Sequence, residues 1–188
     1  MGMFRDHYVG GVFSYTVFFG VSMAVTQSGK FILEKPLDWN PIVPVKLADI
    51  VICFAIAILA SIWPDVDIKS ISQVIFYRLF AIVNIVLILL KMYVYSAFLG
   101  FFAMLPLLGK HRGWTHSRIT MFLLPAILTI APYYLQNNTF KLMDLLIIEN
   151  LSQLKVILPF YVAGLIGYAT HLQIDGILLQ FGRRRKKA

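Results

Sequence analysis

The 188-residue sequence predicts an all-α, polytopic membrane protein, a bundle of about six transmembrane helices with a metal-type site at its cytoplasmic face. Two features of the composition and one of the patterning point there. Hydrophobic residues make up 59% of the chain and charged residues 14%, with a mean hydropathy of +0.77. Soluble domains carry about 25% charged residues, so 17 Lys/Arg and 9 Asp/Glu are too few to cover a water-facing surface. Apolar runs also recur at the length of about 20 residues that a helix needs to cross a bilayer. The length and even composition imply a single integral-membrane domain over residues 1–188, ending in a basic tail at 182–188.

The first span is expected at Tyr8–Gln27 and the second at Leu47–Pro64. Ser22-x-Ala24 weakly imitates a signal-peptidase site, but cleavage there would discard His7, so a retained first helix is the better reading. The start Met-Gly lacks the Ser/Thr of a myristoylation signal. Val74–Leu108 is interrupted only by Arg78 and Lys91, and two short spans joined at Lys91 are favoured over one steeply tilted span. The fifth helix is expected at Ile119–Leu135, with Thr115 or Ser117 available to cap it or to hydrogen-bond a ligand. The sixth runs from Val156 to about Phe181, and its Gly164 and Gly167 allow a neighbouring helix to approach closely.

Between these spans, Ser28–Lys46 carries Pro36, Pro41, Pro44 and Trp39 and reads as an ordered interfacial loop. Asn137–Lys155 contains a short apolar piece, Leu142–Ile148, that reads as an interfacial helix. Cys53, the one cysteine, excludes a disulfide framework and a Cys-based zinc site, and is expected to be packing filler.

Six helices put both termini on one side of the membrane. That side holds eleven basic residues (Arg5, Lys69, Arg78, Lys110, Arg112, Arg118 and the tail Arg183 to Lys187). The opposite side holds six: Lys30, Lys35, Lys46, Lys91, Lys141 and Lys155. The positive-inside rule therefore places both termini in the cytoplasm. Trp39, Trp63 and Trp114 fall at predicted helix ends, as an aromatic belt requires. The tail reads as a contact for lipid headgroups rather than nucleic acid.

All four histidines, the Asp65/Asp67 pair and Asp175 then lie near one membrane face. His7 opens the first helix, and Pro64-Asp65-Val66-Asp67 ends the second. The fourth helix leads into Lys110-His111-Arg112-Gly113-Trp114-Thr115-His116-Ser117, and the sixth carries His171-x-x-x-Asp175. Ionisable groups at membrane helices are costly and find partners or functions. His171 and Asp175, four apart, share a helix face and can grip one ion. Taken singly, that pair reads as a structural hydrogen bond, and Asp65 and Asp67 as solvated helix-end residues. Taken together, they predict a shared site for a divalent metal.

These residues resemble the YdjM-like (LexA-binding) family of inner-membrane-associated metal-dependent hydrolases. The resemblance rests on His7-x-x-Gly10, Pro64-Asp65-x-Asp67-x-x-Ser70, His111-Arg112-Gly113-x-Thr115-His116-Ser117 and Gly167-Tyr168-x-x-His171-Leu172-x-x-Asp175, in family order over nearly the whole chain. Asp6 stands where a threonine is expected and Lys69 where a proline is common; neither is a proposed ligand. The resemblance implies a bacterial or archaeal inner membrane and a cytoplasmic protein partner. In order of ligands the chain is also similar to the zinc-dependent phospholipase C and single-strand nuclease group. That similarity implies one metal on Asp65, His116, His171 and Asp175, and a second held with His7 and a bridging Asp175.

The function expected is hydrolysis of a phosphoester, lipid or lipid-linked, by water activated on one or two divalent ions, with Zn²⁺ the expected metal. Asp67 is the candidate general base or the carboxylate that orients a ligand histidine; His111 is a further ligand or the general acid. Arg112 offers a planar fork to a phosphate. The alternative is a non-catalytic adaptor with a structural metal that docks a cytoplasmic partner. An ion transporter ranks last, because the chain has no half-to-half symmetry.

Overall fold

In the computed structural model the described residues are 4–32, 43–44, 46–108, 114–137 and 151–178. They form six α-helices: α1 (Phe4–Ile32), α2 (Leu47–Ile62), α3 (Ile71–Leu89), α4 (Tyr93–Met104), α5 (Arg118–Asn137) and α6 (Leu151–Ile174). Short 3₁₀ turns follow α2 (Trp63–Asp67) and α4 (Leu105–Leu108) and precede α5 (Trp114–His116). The all-α membrane bundle expected from composition is what the chain adopts. Its outer surface is a continuous apolar coat, with Phe13, Leu89, Phe101 and Ile119 among the exposed side chains. Such a coat suits a lipid solvent and would drive association in water.

Four stretches are long and apolar enough to cross a membrane: Phe4–Thr26, Leu47–Asp67, Ile71–Leu89 and Val156–Ile174. Tyr93–Leu107 and Arg118–Ala131 are apolar but shorter. At about 1.5 Å per residue, the first of these covers about 22 Å of a core about 30 Å thick.

The break at Lys91 is where the sequence puts it. Lys91 adopts a left-handed backbone, φ 59°. The Lys91 N–H donates to the Ile88 carbonyl and the Met92 N–H to the Leu87 carbonyl, so α3 ends in a Schellman turn. A non-glycine residue there costs about 1 kcal/mol. Lys91→Gly is therefore expected to stabilise the detergent-solubilised protein by about that amount, read as a raised thermal midpoint; an unchanged or lower midpoint counts against it. Across the α3–α4 hairpin, the Ser96 hydroxyl donates to Asn84 Oδ1 and the Asn84 amide to the Ser96 carbonyl. Tyr77 donates to the Ala103 carbonyl.

Other boundaries move. α1 continues to Ile32, so the first residues of the expected Ser28–Lys46 loop are helical. α6 starts five residues before Val156 and stops at Ile174 rather than near Phe181. The stop is Gly176, at φ 69°. Its N–H donates to the Gln173 carbonyl and the Ile177 N–H to the Leu172 carbonyl, a second Schellman turn. The 142–148 segment, most of the 28–46 loop and the basic tail lie outside the described residues.

α1, α2 and α6 pack against one another, and α5 lies against α6. A Cβ on Gly167 would overlap the Ala57 carbonyl, and one on Gly164 would press on Pro125, so both glycines serve close helix approach as expected. Cys53 is fully buried with Tyr15, Ala57 and Ala163. Trp63 corrects the aromatic-belt expectation. It is at a helix end, but buried in the core, with its ring against Phe102, Trp114 and Tyr168. Through Trp63 the α3–α4 hairpin is joined to α5 and α6 just beneath the ionisable cluster.

Candidate metal centre

The start of α1, the end of α2, the start of α5 and the end of α6 meet at one end of the bundle. Pro64 is the second residue of the 3₁₀ turn after α2, and at about three residues per turn Asp65 and Asp67 leave the turn in different directions. Ser70 holds the turn: its hydroxyl donates to the Asp65 carbonyl and accepts from the Gln73 N–H, capping α3. Ser117 accepts from the Thr120 N–H and so caps α5, which decides between the two candidate caps. On α6 the Asp175 N–H still reaches the His171 carbonyl, so the two side chains share a face. The Gly176 turn makes Asp175 the last residue of that spiral. Arg118 ties the two helix ends together by donating to the Ile177 carbonyl.

His7, Asp65, His116, His171 and Asp175 converge. His116 Nε2 and His171 Nε2 each lie 3.6–3.7 Å from Asp65 Oδ1 and from Asp175 Oδ2. His7 Nε2 lies 3.7 Å from the other oxygen of each carboxylate, Asp65 Oδ2 and Asp175 Oδ1. The His7 ring stacks on His171 with centroids 4.0 Å apart. His116 Nε2 and His171 Nε2 are 3.4 Å apart. Separations of 3.6–3.7 Å are too long for hydrogen bonds, which for nitrogen and oxygen run to about 3.2 Å. The carboxylates and imidazoles surround a common space at ion-pair distances.

Those spacings fit a cation. Ligands about 2.0–2.2 Å from one ion at tetrahedral angles sit about 3.3–3.6 Å apart. Asp65, His116, His171 and Asp175 each offer one ligand atom, all within 4.8 Å of one another, and form a group able to hold a metal ion. The protonation pattern agrees. His171 Nδ1 is 2.7 Å from the Ser61 carbonyl, which only accepts, so Nδ1 carries the proton. In the neutral ring Nε2 is then a bare lone pair aimed at two carboxylates. Both ring nitrogens of His7, and Asp65 Oδ1, are buried with no hydrogen-bond partner. Unpaired buried polar atoms are costly, and an ion held among the carboxylates would give His7 Nε2 and Asp65 Oδ1 a partner.

Of the predicted site residues, all five metal candidates are in the cluster. Asp67 sits beside it but turns to Thr115, whose hydroxyl is 3.1 Å from Asp67 Oδ2 and 3.2 Å from His116 Nδ1. His111 and Arg112 lie outside the described residues. Two contributors had no assigned role from sequence. One is the Ser61 carbonyl, a backbone atom that no residue type marks. The other is Tyr168, whose hydroxyl donates to the Thr115 carbonyl. Its position three residues before His171, on the same helix face, is the signal that could have found it.

No curated protein and no solved structure matches the chain, so the similarity in ligand order to the phospholipase C and nuclease group gains no support from these comparisons. A family model does match, over residues 15–182. That range contains Asp65, His116, His171 and Asp175 and leaves out His7, whose place in the cluster rests on geometry. With a match over most of its length, the chain belongs to the YdjM inner membrane protein family.

Proposed function

We propose that the protein is a membrane-bound metal-dependent hydrolase acting on a phosphoester, lipid or lipid-linked, presented at the membrane surface. One observation carries the reading: four ligand atoms from three separate parts of the fold lie within 4.8 Å of one another, with His7 against the same carboxylates. A divalent cation there, with Zn²⁺ favoured by the imidazole-rich donor set, would supply a water of pKa about 7 and a Lewis acid for the phosphoryl oxygen.

The chain's own residues divide the remaining work. Asp65 keeps 13% of its side chain exposed while Asp175 keeps 4%, so the cluster opens on the Asp65 side. Catalytic centres need such an open position. Charge favours an anionic substrate if His7 holds a second ion. One divalent ion between two carboxylates is neutral overall; two ions leave two positive charges, suited to a phosphate. Arg112 and His111 precede the 3₁₀ turn that carries His116. There Arg112 would grip the phosphate by two parallel N–H bonds, and His111 would protonate the leaving oxygen. Both termini are taken as cytoplasmic, on the excess of basic residues on their side.

The test is metal analysis of the purified protein together with a screen of phosphodiesters and phosphomonoesters. Bound metal with turnover is expected on at least one class, abolished by chelation and restored by metal. A metal-loaded protein inert across the screen overturns the hydrolase. It would favour the second reading, in which the ion clamps α1, α2, α5 and α6 for an adaptor that docks a cytoplasmic protein. The five-residue donor set, drawn from those elements, favours that second reading in so far as His7 closes the coordination.

A further inference from the structure

We infer that Thr115 and Asp67 form a relay that holds His116 in the one tautomer able to bind a cation, which makes Thr115 a positioning residue of the centre. The inference rests on the metal-binding reading above.

Thr115 is buried, and its hydroxyl has polar atoms on two sides: Asp67 Oδ2 at 3.1 Å and His116 Nδ1 at 3.2 Å. A hydroxyl has one proton to give. An ionised carboxylate only accepts, so that proton goes to Asp67. The Thr115 oxygen then presents a lone pair to His116 Nδ1, which must bring the proton of that contact. Nδ1–H leaves Nε2 bare, and Nε2 is the atom facing Asp65, Asp175 and His171.

The opposite tautomer has its own attraction. With Nε2 protonated, the ring would present its N–H to the two carboxylates, and the centre would be closed to a cation. Asp67 tips the balance from outside the cluster, through one hydroxyl. His171 needs no such device, because a backbone carbonyl fixes its Nδ1 proton. For His116 the threonine immediately before it takes that part.

The relay is also held in place. The Tyr168 hydroxyl donates to the Thr115 carbonyl, and the Thr120 hydroxyl donates to the Trp114 carbonyl, 2.5 Å away. The backbone of the Trp114–His116 turn is thus pinned from α6 and from α5. The Thr115 side chain has little freedom to face elsewhere.

The experiment uses the full-length protein in detergent, stripped of metal and titrated with Zn²⁺ or Co²⁺ alone. Thr115→Val keeps the shape and removes the hydroxyl; Thr115→Ser keeps the hydroxyl. Losing a group that orients a ligand histidine lowers metal affinity by about 10–100-fold. That loss is expected for Thr115→Val and for Asp67→Ala, with Thr115→Ser close to the native protein. Nitrogen NMR of labelled imidazoles in the metal-free protein supplies a readout that packing alone would not move. His116 should be the Nδ1–H tautomer in the native protein and shift toward Nε2–H in Thr115→Val. Native affinity in Thr115→Val, Thr115→Ser as weak as Thr115→Val, or an Nε2–H His116 in the native protein would each overturn the relay. Should Thr115→Val fail to fold, Asp67→Ala and the native tautomer decide. A native protein that binds neither ion sinks the metal reading instead, and the tautomer measurement still tests the relay.

Discussion

Replacing His171 or Asp65 by alanine is expected to remove stoichiometric metal from the purified protein. Each offers one of four ligand atoms packed within 4.8 Å. The loss should exceed the about 10–100-fold that follows from removing an outer partner of a ligand. Stability separates the two variants. An ion at 100 times its Kd stabilises the folded state by about 2.7 kcal/mol, and both variants forgo that. Without metal the two differ in degree. Asp65→Ala removes a carboxylate that faces three buried histidines, so metal-free Asp65→Ala should melt somewhat below the metal-free native protein. His171→Ala opens a void in a fully buried position and takes the donor from the Ser61 carbonyl, so it should melt lower with or without metal. Variants that keep the metal content of the native protein would refute both assignments.

His7→Ala should lower the number of bound cations from two per chain to one. The two carboxylates divide their oxygens, Asp65 Oδ1 and Asp175 Oδ2 toward His116 and His171, Asp65 Oδ2 and Asp175 Oδ1 toward His7. Carboxylates so arranged can bridge two ions, and His7, with both ring nitrogens unpartnered, would serve the second. The variant keeps all four atoms of the first group. With the second ion gone the centre is neutral overall, and inorganic phosphate should cease to compete at it. Metal counts by mass spectrometry of the intact protein decide the matter. A native protein and variant with the same count would rule out the second ion.

The membrane class and helix order were legible because they rest on composition and on runs of about 20 apolar residues. The Lys91 break was legible too, since a lone cation in an apolar run marks a place where the chain meets water. Helix ends were harder to read. α1 runs on through Ser28 and Lys30 because polar residues are compatible with a helix that has left the lipid. α6 stops at Gly176, not at the end of its apolar run, because a left-handed glycine completes two carbonyl contacts that hydropathy does not register.

The members of the His/Asp cluster were legible as residue types that are expensive near a membrane unless partnered, spread over motifs that a six-helix count brings to one face. Their supports were less so. The Ser61 carbonyl belongs to any residue at that position, and the burial of Trp63 depends on Phe102, Trp114 and Tyr168 arriving from three other segments. Asp67 was legible as a participant but not as the partner of Thr115, because the two stand 48 residues apart.

The distribution of the ligands along the polypeptide bears on biogenesis. His7 is made before Asp65 and His116, and Asp175 after both. Synthesis proceeds from the N-terminus, so most of the helices are delivered to the bilayer before the second carboxylate has left the ribosome. Until then the early histidine and aspartate have no complete set of companions. An ion that needs the full set of donors would consequently load only after insertion, and a nascent chain truncated before α6 would lack His171 and Asp175 to hold it.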